Sequence, residues 1–185
     1  YIGLGSGRTR PTFNLGTLTS TTITVTAANV SVDNAIFYST FADVVTIFNV
    51  TAVGFTLKNC LIGDSAINLN VLSAVKCTGS DNTADDIRLV NNKFLSQDAA
   101  TLGFVIFAGD VFRPVIEDNV IISEGTGLAT IFTCATGKDI RMCSVARNRL
   151  SSKATANALG YSNDTASPNN SGIICDNYVR ASDVG

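Results

Sequence analysis

Apolar and polar positions alternate in short bursts along the whole chain, separated by Gly, Asn, Asp and Ser. Such period-2 runs, rich in Val, Ile, Phe and Thr, predict half-buried β-strands. No stretch keeps a 3.6-residue period over helical length. Six bursts share one local pattern: VSVDNAIF, FTLKNCLI, RLVNNKFL, VIEDNVII, SVARNRLS and IICDNYVR. Each carries an Asn with an apolar residue two places on. The Asn column reads Asn34, Asn59, Asn92, Asn119, Asn148 and Asn177, and its apolar partners are Ile36, Leu61, Phe94, Ile121, Leu150 and Val179. Successive Asn residues are 25, 33, 27, 29 and 29 apart.

A second strand-like run follows each Asn at a nearly constant offset: DVVTIFNV, INLNVLSAV, LGFVIFAG, LATIFTCA and the weaker ANALGYS. Two or more short strands in a period in the high twenties predict an all-β chain, a right-handed parallel β-helix of about six coils of 25–33 residues. A coil cannot bury its inner face alone, but stacked coils share a core. A propeller needs longer repeats, and a sandwich would not hold one Asn in register six times. Residues 1–185 read as a single β-helix segment. Since neither end carries an obvious cap, the segment reads as a piece of a longer chain. Asn suits the column because it tolerates the left-handed backbone of a bend, and stacked amides can hydrogen-bond as a ladder.

Counting from the Asn sorts positions into faces. Two places before it stand Val32, Leu57, Val90, Glu117, Ala146 and Cys175, which alternation assigns inward. One place before it stand Asp33, Lys58, Asn91, Asp118, Arg147 and Asp176, assigned outward. Glu117 is then an anomaly, an acid among apolar or small equivalents, and it needs either a local bulge or a partner such as Arg88 or Arg147. Three places after the Asn come Phe37, Ile62, Leu95 and Ile122. Strict alternation makes these an outward apolar stripe and a subunit interface; a bend after the second position would turn them inward instead.

Charge changes this picture little. The net charge is −2 and the 13 basic residues do not cluster, which gives no footprint for nucleic acid. No apolar run is long enough to cross a membrane. The chain has no His, which removes the commonest general base and every Ser-His or Cys-His pair. The five cysteines form no CxxC, are odd in number, and sit in apolar runs, so they read as free buried thiols rather than zinc ligands or disulfides. GLGSG lacks the spacing and following helix of a dinucleotide loop, and DNTADD lacks the spacing of a calcium loop. The Thr-rich TLTSTTITVT resembles an ice-binding array but occurs in one coil only. No cofactor or metal site is expected. The remaining chemistry would rest on paired carboxylates, best represented by Glu117, Asp118 and Glu124 in IEDNVIISE.

The opening GLGSGRTRPTFNLGT, the Thr-rich TTITVTAANVSVDNAIF and the later LVNNKF and IEDNVI coils resemble the pectate-lyase-like β-helices of tailed-bacteriophage virion proteins. The resemblance covers nearly the whole chain and is one of pattern. It implies a homotrimer in the virion, assembled with other capsid or tail proteins as a decoration or fibre. The carboxylates do not form adjacent pairs in their column, so the expected role is structural and non-catalytic. A tailspike-type domain that binds or degrades surface polysaccharide is the first alternative, and a bacterial surface adhesin the second.

Overall fold

Three parallel sheets, each fed by one strand from successive coils, wrap a common interior in the computed structural model, which describes residues 4–16, 22–66, 69–97, 101–123, 131–152 and 170–181. The first face stacks Ser31–Asp33, Thr56–Lys58, Arg88–Val90, Val115–Glu117, Cys143–Ala146 and Gly172–Cys175. The second stacks Thr12–Leu15, Ile36–Ser39, Leu61–Asp64, Lys93–Ser96, Val120–Ser123, Arg149–Ser152 and Tyr178–Ala181. The third stacks Ile23–Val25, Phe48–Val50, Ser73–Cys77, Gly103–Phe107 and Phe132–Cys134. A two-stranded sheet, Val111–Phe112 with Ile140–Arg141, lies between the third face and the first. The result is a parallel β-solenoid of about five turns, with no α-helix among the described residues.

Parallel pairing fixes the register residue by residue. On the first face Val32, Leu57, Leu89, Ile116, Val145 and Ile174 form one inward column. On the second face the inward column is Phe13, Phe37, Ile62, Phe94, Ile121, Leu150 and Val179. The third face turns both Phe48, Val75, Val105 and Phe132 and, two residues on, Val50, Cys77, Phe107 and Cys134 toward the core. The second runs expected from the sequence are these third-face strands, except ANALGYS, which lies outside the described residues.

Aromatic rings fill the interior. Phe37 meets Phe48 edge-on at 4.9 Å, and Phe94 meets Phe104 at 5.8 Å. Phe48, Phe55, Phe94, Phe104, Phe107 and Phe132 are all fully buried. Burying such side chains contributes roughly 1.5–3 kcal/mol each, and Phe107 meets Phe132 of the next coil at 6.1 Å. Cys60, Cys77, Cys134 and Cys143 are buried free thiols in this packing, and Cys175 is an exposed one.

The register corrects two sequence expectations. Phe37 and Ile62 are not on the outer surface: they are 2% and 0% exposed, in the inward column of the second face. Leu95 and Ile122 do point outward, half-buried, in the column of Tyr38 and Gly63. Val90, Glu117, Ala146 and Cys175 stand not inward but in the outward column continuing Asp33 and Lys58. Both differences have one cause. In the first two coils the shared Asn sits one place earlier than in the last four.

Candidate functional site

The chain turns from the first face to the second through a two-residue corner. The first residue of the corner is left-handed in every coil: Asn34, Asn59, Asn91, Asp118, Arg147 and Asp176, with φ between 53° and 56°. The second faces inward: Ala35, Cys60, Asn92, Asn119, Asn148 and Asn177. Asn and Asp occupy the left-handed conformation at low cost because their short polar side chains bond locally. The step from Cys60 to Asn92 spans 32 residues, one fewer than Asn59 to Asn92, which is the one-place slip between the two halves of the Asn column.

Four of the six predicted Asn residues form a ladder. Asn92 Nδ2 donates to Asn119 Oδ1 at 3.0 Å, Asn119 Nδ2 to Asn148 Oδ1 at 2.9 Å, and Asn148 Nδ2 to Asn177 Oδ1 at 2.9 Å. Each Oδ1 also accepts the backbone N–H of the Asn one coil earlier, at 2.9–3.0 Å. Each Nδ2 gives its second hydrogen to an inward-column carbonyl, those of Leu57, Leu89, Ile116 and Val145. Buried amides are thereby saturated, as burial requires. Asn34 and Asn59 are not part of this ladder, because they hold the left-handed place. Their amides work at the surface: Asn34 donates to the Gly5 carbonyl, Asn59 to Asp33, and Asn91 to Asn59. The thiol of Cys60 takes the ladder position in its coil, with Sγ 3.9 Å from the Val32 carbonyl.

The carboxylates that suggested an active site are tied into a clamp on this corner. Arg147 donates through Nε and Nη2 to both oxygens of Asp118, at 2.8 and 3.0 Å, and through Nη2 to Glu117 Oε2 at 2.9 Å. The Ser144 hydroxyl donates to Glu117 Oε1 at 2.6 Å. All four carboxylate oxygens therefore accept a bond, and Glu117 is an outward, partnered acid rather than a buried anomaly. The bonds from Arg147 hold the Asp118 carboxyl below the usual range. A general acid for glycoside cleavage needs the opposite shift. Glu124 lies outside the described residues.

The corner that leads into the first face is left-handed too, at Asn29, Gly54, Asp86, Arg113 and Met142. There the same device recurs: Arg113 clamps Asp86 of the coil before it, at 2.6 and 2.7 Å. In both corners an Arg in an unfavourable backbone conformation stacks on an Asp one coil earlier in its own column. The bidentate, charge-assisted contact offsets that strain. The Arg-after-Asp order is present in the sequence at a constant offset from the Asn column, one place before Asn119 and Asn148 for Asp118 and Arg147, and six places before Asn92 and Asn119 for Asp86 and Arg113. The acids of DNTADD are engaged as well, Asp81 with Lys138 and Asp86 with Arg113, while Asp85 accepts the Phe112 N–H. No group of three or more His, Cys, Asp or Glu suited to a metal occurs among the described residues.

Two grooves run along the same corner and the adjoining second face. The larger, about 550 Å³, is lined by Gly5, Arg10, Asn34, Asn59, Asn91 and Lys93 among others. Arg10 reaches across it to donate to the Asn59 carbonyl at 2.9 Å. The smaller, about 270 Å³, is lined by Ile122, Arg149, Ser151, Tyr178 and Arg180 among others. Val120 borders both, so they form one strip along the solenoid axis. No protein-family model, curated protein or solved structure matches the chain.

Proposed function

We propose that this chain is a non-catalytic structural β-solenoid of a tailed-phage virion, a capsid decoration or fibre that works as a homotrimer with other virion proteins. The observation that carries the non-catalytic part is the Arg147 clamp. Glu117 and Asp118, the best carboxylate pair in the sequence, have every oxygen engaged, and Asp118 is held ionised. A saturated amide ladder and a continuous aromatic core suit a stiff rod that carries load rather than a site that turns over. The phage setting rests on the sequence resemblance alone. For the trimer, the supporting feature is the outward column of Tyr38, Leu95 and Ile122, half-buried on the second face.

Incubation with a panel of bacterial capsular and lipopolysaccharide glycans tests the enzyme question directly. New reducing ends or unsaturated products would overturn the proposal; none are expected. Sedimentation equilibrium tests the assembly, with a trimer expected and a monomer at all concentrations refuting it.

A further inference from the structure

We infer that the groove walled by Arg149 and Arg180 is a binding site for a phosphate monoester. On the second face the register sets Arg149 beside Tyr178 and Ser151 beside Arg180. The four residues form a square on two neighbouring strands, with a guanidinium at two opposite corners and a hydroxyl at the other two. Diagonal neighbours in a sheet lie about 7–8 Å apart, within reach of one ligand for two long side chains. All four residues line the groove of about 270 Å³, and Val120 and Ile122 on the strand before line it too. Arg149, Ser151, Tyr178 and Arg180 are exposed. None of their side chains has a hydrogen bond or ion pair among the described residues. Like charges set side by side on a sheet are destabilising, and a bound anion removes that cost.

The doublet sets this place apart from the other cations. Lys58, Arg113, Lys138, Arg141 and Arg147 each face an acid. Arg88 and Lys76, on the other two faces, stand singly, Arg88 between Thr56 and Val115 and Lys76 between Asn49 and Ile106. Lys93 likewise stands between Leu61 and Val120. The chemistry of the square selects the ligand. Two fixed positive charges match a dianion, and two guanidinium forks with two hydroxyls match an anion with three free oxygens. A phosphate monoester has both, since its second proton leaves at about pH 6. A carboxylate or a sulfate ester carries one charge and leaves one Arg unmatched. The apolar floor at Val120 and Ile122 fits a small apolar or aromatic body on the ester.

This inference goes beyond the structural role, and its failure would leave the glycan and sedimentation tests untouched. Ile122 ends the apolar column proposed as the trimer contact, and the charged square lies past it. Isothermal titration of the full chain with phenyl phosphate is the test. Binding should strengthen from about pH 5 to about pH 7.5 as the ligand loses its second proton, because the chain has no His to titrate in that window. Phenyl sulfate should bind more weakly and show no such rise, and inorganic phosphate should bind more weakly for want of the apolar body. Arg149→Gln and Arg180→Gln should each weaken phenyl phosphate roughly tenfold, while Arg88→Gln and Lys76→Gln leave it unchanged; circular dichroism checks that each variant folds. The inference is overturned by absence of phenyl phosphate binding, by a flat pH profile, or by equal binding of phenyl sulfate or inorganic phosphate. The same loss of affinity in the Arg88 or Lys76 variants would also overturn it.

Discussion

Asn119 lies in the middle of the amide ladder and is 0% exposed, so truncating it isolates what the ladder contributes. In Asn119→Ala, the Asn92 backbone N–H loses its acceptor, Asn119 Oδ1 at 2.9 Å, and one Nδ2 hydrogen of Asn92 loses the same oxygen at 3.0 Å. The Leu89 carbonyl and Asn148 Oδ1 each lose one donor, although Asn148 Oδ1 still accepts the residue-119 backbone N–H. Two donors are left buried without partners, and each costs about 1–3 kcal/mol. The expected destabilisation is therefore about 2–6 kcal/mol, larger than the cost of Asn34→Ala, which removes a donor to the Gly5 carbonyl outside the ladder and leaves Ala in a left-handed conformation costing about 1–2 kcal/mol. Urea unfolding followed by circular dichroism gives the comparison. Because coils contact only their neighbours, amide exchange should show the loss concentrated at Asn92 and Asn119. If Asn119→Ala costs no more than Asn34→Ala, or less than about 1 kcal/mol, the ladder is incidental and the reasoning fails.

Cys60→Asn should extend the ladder by one coil, its amide reaching the Val32 carbonyl that the thiol now approaches and Asn92 Oδ1, and should raise stability by about 0.5–1.5 kcal/mol in the same urea assay; a loss would mean the site cannot hold the amide. Hydrogen bonds from Lys138, Arg113 and Arg147 lower the pKa of Asp81, Asp86 and Asp118. Their folded values lie below the unfolded one, so this stability is complete above about pH 4 and is lost as pH falls through the folded values. Thermal midpoints should accordingly drop below about pH 4, and Arg147→Gln should make that drop shallower; an unchanged acid profile would refute the clamp. Burial pushes the Cys77 thiol up to about 12 and Cys134 to about 11. A thiol reagent at pH 8 should therefore label Cys175 first in the folded protein, with the four buried thiols following only on unfolding. Rapid labelling of Cys77 would contradict the packing.

Repetition and strand type were legible in the sequence because each coil repeats an alternating burst, and a parallel stack requires that repetition. The exact column was not, because two adjacent corner positions both favour Asn for unrelated reasons. One needs a left-handed backbone and the other a buried amide. RLVNNKFL carries an Asn in both places, Asn91 and Asn92, whereas VSVDNAIF and FTLKNCLI carry one each. The distinguishing signal lay further on. Phe37 and Ile62 follow their Asn by three places, while Phe94, Ile121, Leu150 and Val179 follow theirs by two. Aligning the core residues instead of the asparagines recovers the register. It also moves Glu117 outward, while Asp118 and Arg147 share a column in either alignment. The grooves were not legible at all, because they are made by residues as distant as Arg10 and Asn91 that only the stacking of coils brings together.

Every amide in the ladder points the same way: the earlier coil donates and the later coil accepts. Their dipoles therefore add, as peptide dipoles do along a helix, and the solenoid has an electrical axis built from side chains. Its negative end opens at Asn92, beside the groove that holds Arg10 and Lys93, and its positive end lies at Asn177, next to Asp176. The same polarity gives assembly a direction, since each completed coil offers the next an aligned donor in a fixed place.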